Sequence, residues 1–137
     1  MILDTDVIIA SIRSSTGASA EIVRQVLQRE LLIEVSVAMV LEYEAVSTRR
    51  EHLRAGGLSA TEALTVIDAL AAVARPIDIH FRWRPQLRDA DDEMVLEAAI
   101  NAQDRTIITF NTRDFTIAAD RFGVTLATPA QFLERSR

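Results

Sequence analysis

Short apolar runs alternate along this chain with segments of helical period, and that alternation restricts the fold more than any single motif. Residues 2–4, 31–35, 77–79, 106–109 and 124–126 each read as a strand of a few residues. Helical patterns fill the gaps. One starts over 7–12, and 18–30 continues it with Ala18, Ile22 and Val26 on one stripe. Ser36 is suited to cap a helix through about residue 54, which Gly56-Gly57 ends. Ser59 followed by Glu62 spells a capping box for a helix to about residue 74, stopped by Pro76. Asp91 or Asp92 is expected to open a helix to about residue 102. Residues 115–122 form another, closed by Gly123, and Thr128-Pro129 starts a terminal one. Strands that alternate with helices pair in parallel and are covered on both faces. The expectation is an α/β fold: a three-layer α/β/α sandwich with a short, mostly parallel central sheet, in one domain over residues 1–137.

Composition narrows the function. The chain has no cysteine, which excludes disulfide staples and thiolate zinc sites and suits a reducing cytoplasm. No basic-then-apolar leader precedes the first strand, and no apolar run is long enough to span a bilayer, so no membrane partner is expected. A formal net charge of −5 disfavours gripping nucleic acid by bulk positive charge. Lysine is absent and every basic residue is arginine, so no mechanism here can use a lysine.

Acidic residues recur at element boundaries. Asp4 ends the first strand, with Asp6 two residues on. Glu42 and Glu44 lie on the helix after Ser36; Ala38, Met39, Ala45 and Val46 surround Glu42 and turn it inward. Asp89, Asp91 and Asp92 precede or open the next helix, where Asp92 shares a face with Val95, Leu96 and Ala99, and Asp91 with Met94, Val95 and Ala98. Asp89 is expected to cap or to face solvent. The stretch from Thr109 to Phe115 joins a strand end to a polar turn and a helix. There Thr109 offers a hydroxyl to a neighbouring carboxylate, Asn111 an amide oxygen to a metal-bound water, and Asp114 either a ligand or an N-cap. In parallel sheets, sites form at the carboxyl ends of strands, where Asp4 and Asn111 fall. Two carboxylates about 4 Å apart repel by about 4 kcal/mol at an effective dielectric of about 20. A gathered set therefore calls for a cation, and oxygen ligands suit Mg²⁺ or Mn²⁺.

Each feature also has a plain structural reading. Glu42 could pair with Arg49 or Arg50, the Asp89–Asp92 run could be a solvated helix N-terminus, and His52 and His80 are isolated and structural. Arg82, Trp83, Arg84 and Arg88 suit RNA contacts by stacking and phosphate binding, or a subunit interface, or simply an exposed loop.

The order Ile2-Leu3-Asp4-Thr5-Asp6-Val7, Ser36 with Glu42, Asp89-Ala90-Asp91-Asp92, and Thr109-x-Asn111-x-Arg113-Asp114-Phe115 resembles a PIN domain, most closely the VapC-like toxins of bacterial toxin–antitoxin systems. The resemblance implies a Mg²⁺- or Mn²⁺-dependent endoribonuclease that leaves a 5′-phosphate and a 3′-hydroxyl. Asp4, Glu42 and Asp92 match the family's central acids, and the last falls near Asn111 or Asp114. Asp4, Glu42, Asp92 and Asp114 are thus the implied catalytic and metal-binding set, with Asp6, Thr109, Asn111 and Asp91 in support. The chain departs from the family's usual Asp at Asn111 and usual Asn at Asp6. The resemblance also implies a homodimer, an RNA substrate and a small antitoxin laid across the acidic crevice. Two alternatives stand beside it: a PIN-like module that binds RNA or protein without cutting, and a haloacid-dehalogenase-like phosphatase using Asp4-Thr5-Asp6. The second lacks the lysine that such enzymes usually supply.

Overall fold

The structure, a computed structural model, describes residues 1–80, 87 and 89–136. The first strand, β1 (Ile2–Leu3), ends at Asp4, whose carboxylate accepts the Thr5 N–H and caps α1 (Thr5–Arg13). After α2 (Ala18–Leu27) come β2 (Glu34–Val35) and α3 (Val37–Ser47), capped by the Ser36 hydroxyl. The elements α4 (Arg50–Gly56), α5 (Ala60–Val73) and β3 (Arg75–Pro76) follow. The chain then forms α6 (Ala90–Asn101), β4 (Thr106–Ile108), α7 (Thr112–Phe122), β5 (Thr125–Ala127) and α8 (Pro129–Arg135).

All strand pairs are parallel. One ladder runs β1-β4-β5 and another pairs β2 with β3. The Glu34 N–H donates to the Met1 carbonyl at 2.9 Å and sets β2 beside β1. The spatial order is therefore β3-β2-β1-β4-β5, and the direction of succession reverses between β1 and β4. Right-handed crossovers on the two sides of such a reversal put their helices on opposite faces of the sheet. The contacts are in keeping: α1 packs on α2, α3 and α4, whereas α6 packs chiefly on α7, β1 and β4 and more lightly on α3. This is the α/β/α sandwich expected of the alternating pattern.

Ile2, Leu3, Ile107 and Ile108 are wholly buried between the layers, beside Ile8, Leu96 and Phe115. Burying one such side chain stabilises the fold by about 1.5–3 kcal/mol. Strands this short persist because both faces are covered.

Several boundaries differ from the sequence expectation. The helix expected over 36–54 breaks into α3 and α4. The Ser47 and Thr48 hydroxyls both turn back to the Glu44 carbonyl, at 3.4 and 2.9 Å, and Arg49 leaves the helical region. The break lets α4 fold onto α1, where a Cβ on Gly56 would stand 2.1 Å from the Ile12 carbonyl oxygen; only glycine permits that approach. The strand expected over 77–79 lies at Arg75–Pro76, on the sheet edge, where a proline forfeits no ladder bond. Accordingly α5 ends at Val73, ahead of the proline. The capping box at Ser59/Glu62 forms as its spacing predicts, and Thr128 caps α8 as expected, in a second box completed by Gln131. Gly123 closes α7 at φ 68°, a conformation that glycine adopts freely.

Candidate active site

Asp4 and Thr109 stand side by side where the order of strands reverses, at the carboxyl ends of β1 and β4. The Thr109 hydroxyl donates to one Asp4 oxygen at 2.7 Å, and the Thr5 N–H donates to the other at 2.7 Å. Asp4 is only 5 % exposed. Desolvation raises its carboxyl to about 6, and the charge of Asp6 adds to the rise; the two hydrogen bonds act in the opposite direction. One Asp6 oxygen accepts the Phe110 N–H at 3.1 Å and lies 3.4 Å from the same Thr109 hydroxyl. The other, Oδ1, is buried with no hydrogen-bond partner among the described residues. Burial is also the main cause that raises the Asp6 carboxyl, with Asp92 contributing its charge.

Asp92 enters from the first turn of α6. That turn is fixed by Asp89, which accepts the Asp91 N–H at 2.8 Å and so is the N-cap; the helix starts at Ala90 rather than at Asp91 or Asp92. Asp92 is half-buried and Asp91 exposed, which separates two residues whose helical neighbours in sequence are alike. The Asp92 carboxyl is pushed up to about 6, first by desolvation, then by the charges of Asp4, Asp89, Asp114 and Asp91. Glu42 comes from α3. Its carboxyl is raised by partial burial and by Asp91 and Asp89, against a smaller opposing pull from Arg49. Glu42 is half-buried rather than inward: the buried stripe of α3 runs through Met39, Tyr43, Val46 and Ser47, and Ala38 and Ala45 face solvent. Among the described residues no arginine forms an ion pair with Asp4, Asp6, Glu42 or Asp92.

At the far side of the crevice, α7 begins at Thr112 with Asn111 at its N-cap position, so Asp114 is not the cap. Asp114 lies exposed in the first turn, and its N–H bonds the Asn111 carbonyl at 3.0 Å. The Asn111 side chain makes no capping bond, while its N–H donates to the Thr109 hydroxyl oxygen at 3.0 Å. Arg82, Trp83, Arg84 and Arg88 lie outside the described residues.

Two positioning contacts were missed from sequence. The buried Tyr43 hydroxyl donates to the Leu3 carbonyl and ties α3 to the strand end that carries Asp4. The buried Glu93 carboxylate accepts the Leu87 N–H and fixes the chain just before α6. Met39, Val40 and Val46 at helical spacing around Tyr43 are the signal that could have shown its burial; nothing local names its partner.

The donor set is oxygen only. Among the described residues no three carboxylates are close enough to enclose a metal ion by themselves. That spacing still fits Mg²⁺, which keeps several waters and takes one or two carboxylates from a protein. The unpartnered Asp6 oxygen and the raised Asp4 and Asp92 carboxyls are what uncompensated acids show before a cation joins them. A cleft of about 360 Å³ beside Ser11, Thr16, Leu27 and Val66 is lined by none of these acids, so charge rather than depth marks the site.

A family model for the PIN domain matches residues 1–113. The chain belongs to the PIN-domain family. PIN domains are generally nucleases and typically use divalent metal ions. The match ends at the start of α7, so Asp4, Glu42, Asp92 and Asn111 fall inside it and Asp114 one residue beyond. No curated protein and no solved structure matches the chain. Among the described residues of this PIN domain, no single helix is long and apolar enough to cross a membrane.

Proposed function

We propose that this PIN domain is a Mg²⁺- or Mn²⁺-dependent endoribonuclease of the VapC-like toxin type. The observation that carries the reading is electrostatic. Asp4 with Asp6, and Asp92, from two separate stretches of chain, share one field: Asp6 raises the Asp4 carboxyl, Asp92 that of Asp6 and Asp4 that of Asp92, and no described cation pairs with them. A bound dication would lower the pKa of an attacking water and stabilise the leaving oxygen. The residues divide the remaining work. Asp4 and Asp92 hold the ion. Glu42 and Asp114, at the rim, orient water and accept its proton. Thr109 keeps the Asp4 carboxylate aimed. The products are a 5′-phosphate and a 3′-hydroxyl.

The partners follow from surface character. Val37 and Leu41, one turn apart on α3, are 77 % and 58 % exposed, which supports a homodimer. The net charge of −5 supports inhibition by a basic segment of a cognate antitoxin in the cytoplasm. The decisive experiment incubates purified protein with single-stranded RNA and Mg²⁺ or Mn²⁺, and repeats it with EDTA and with Asp4→Asn and Asp92→Asn. Cleavage should require the metal and both aspartates. Cleavage that survives EDTA, or survives in both variants, rules the mechanism out. Among the described residues no three carboxylates enclose an ion, which also favours a second reading, a PIN-like module that binds without cutting. Calorimetry with Mn²⁺ separates the two, because only the nuclease should lose metal binding when Asp4 and Asp92 are both replaced.

A further inference from the structure

Phe110 is out of place for a phenylalanine. It is 51 % exposed, although it sits between the buried Thr109 and the first residues of α7 at the carboxyl end of β4. The other described aromatics are engaged elsewhere. Tyr43 and Phe115 are buried in the core, and Phe122 and Phe132 pack against it; Phe110 belongs to neither group. A lone exposed apolar side chain is ordinary on a protein surface. This one has a particular address. Its own N–H holds the Asp6 carboxylate at 3.1 Å, and the preceding residue's hydroxyl holds Asp4 at 2.7 Å. The ring therefore belongs to the same stretch of backbone that aims the acids.

We infer that Phe110 is a substrate-positioning residue, a stacking platform for the nucleobase beside the scissile phosphate. The inference rests on the ribonuclease reading above and adds the contact that reading lacks. A net charge of −5 leaves little bulk attraction for a polyanion. A neutral aromatic face needs none: every base has a π-face, and stacking tolerates any sequence. Stacking also requires an unpaired base, so the platform selects single strands over duplexes. A base held on Phe110 would set the register of the strand, so that one phosphodiester reaches Asp4 and Asp92.

The test pairs kinetics with a spectroscopic readout. Phe110→Ala, Phe110→Leu and Phe110→Trp are compared with the natural chain on a short single-stranded RNA. In a parallel titration with Mn²⁺, one base of that RNA is replaced by 2-aminopurine, and stopped flow reads fluorescence before turnover. We expect Phe110→Ala and Phe110→Leu to lose about 10- to 100-fold in kcat/KM, mostly through KM, and to lose the quenching of 2-aminopurine that the natural chain shows. Phe110→Trp should restore both. Thermal melting should change little in all three, since about half of Phe110 is exposed and it is not one of the buried core residues. An RNA made abasic at the stacked position should be a poor substrate for the natural chain and no worse for Phe110→Ala. Full activity of Phe110→Ala and Phe110→Leu, or unaltered quenching in them, overturns the inference and leaves the nuclease reading intact. Aromatic-dependent quenching in a protein that never cuts RNA upholds the platform and sinks the nuclease. Equal response to the abasic and intact strands overturns the platform whatever the activity.

Discussion

Buried carboxylates stand at both ends of the central sheet, and they are treated in opposite ways. At the amino end Glu34, 3 % exposed, accepts the N–H groups of Gln103 and Asp104 at 3.2 and 3.1 Å, one on each oxygen. It pins the turn that feeds β4 beside β2 and β1. At the carboxyl end Asp4 and Asp6 crowd together, share the Thr109 hydroxyl, and leave one oxygen of Asp6 unpartnered. Both ends bear the cost of desolvating a carboxylate. Glu34 recovers it with the amino terminus 3.9 Å away and a donor on each oxygen, whereas Asp4, also bonded on both oxygens, faces the like charge of Asp6, and one Asp6 oxygen has no donor among the described residues. A buried acid therefore says little about function until its donors and charged neighbours are weighed together, and in this chain the neighbours separate a structural clamp from a candidate catalytic centre.

The largest expected effect tests the carboxyl end. Asp4→Asn or Asp92→Asn should reduce RNA cleavage by about 100- to 1,000-fold or more, as loss of one charge-stabilising group commonly does. Their metal-free melting temperature near pH 7 should be unchanged or higher, because each substitution removes a repelling charge. A clear fall in stability would make Asp4 a clamp like Glu34. Next is Thr109→Val, which keeps the volume and removes the donor; Mn²⁺ affinity measured by calorimetry should drop about 10- to 100-fold, while Thr109→Ser largely retains it. The amino end should respond in the other currency. Glu34→Gln should cost about 1–3 kcal/mol in urea unfolding and leave kcat/KM of the remaining folded protein unchanged.

The smallest effect is in pH. The Asp4 and Asp92 carboxyls are raised to about 6 in the metal-free fold from an ordinary value of 3.8. Between those values the folded chain binds more protons than the unfolded chain, so their contribution favours the fold below about pH 4 and is lost as pH rises through about 6. Metal binding needs both groups ionised and runs the other way. The stabilisation conferred by Mn²⁺ in thermal melts should be large at pH 7.5 and vanish toward pH 5. In the Asp4→Asn, Asp92→Asn double variant this dependence should flatten.

How much of this was legible in the sequence depends on range. The layered architecture follows from apolar runs alternating with helical period, which are local signals. Capping boxes at Ser59 and Thr128 are likewise written within four residues. The break between α3 and α4 was not legible, because the closeness of Gly56 to Ile12 is a tertiary fact that overrides helical periodicity. The strand at Arg75–Pro76 was missed because a proline reads as a stop unless its edge position is known. Within the candidate site, the acids that end strands could be read from position alone. Asp92 could be preferred over Asp91 but not cleanly separated from it, since which of them turns toward the crevice depends on the cap at Asp89. Tyr43 and Glu34 escaped notice because their partners lie 40 and about 70 residues away.

Thr109 carries a single hydroxyl hydrogen, and a hydroxyl can give it to one acceptor at a time. At 2.7 against 3.4 Å the Asp4 oxygen has first claim on it over that of Asp6. The two aspartates are thus unequal before any ion arrives. Any event that rotates the threonine would swap their ranks without moving the backbone. Substituting Asp6 by Asn would weaken that contest, because a neutral amide oxygen accepts less strongly than a carboxylate, and it should tilt the threonine further toward Asp4.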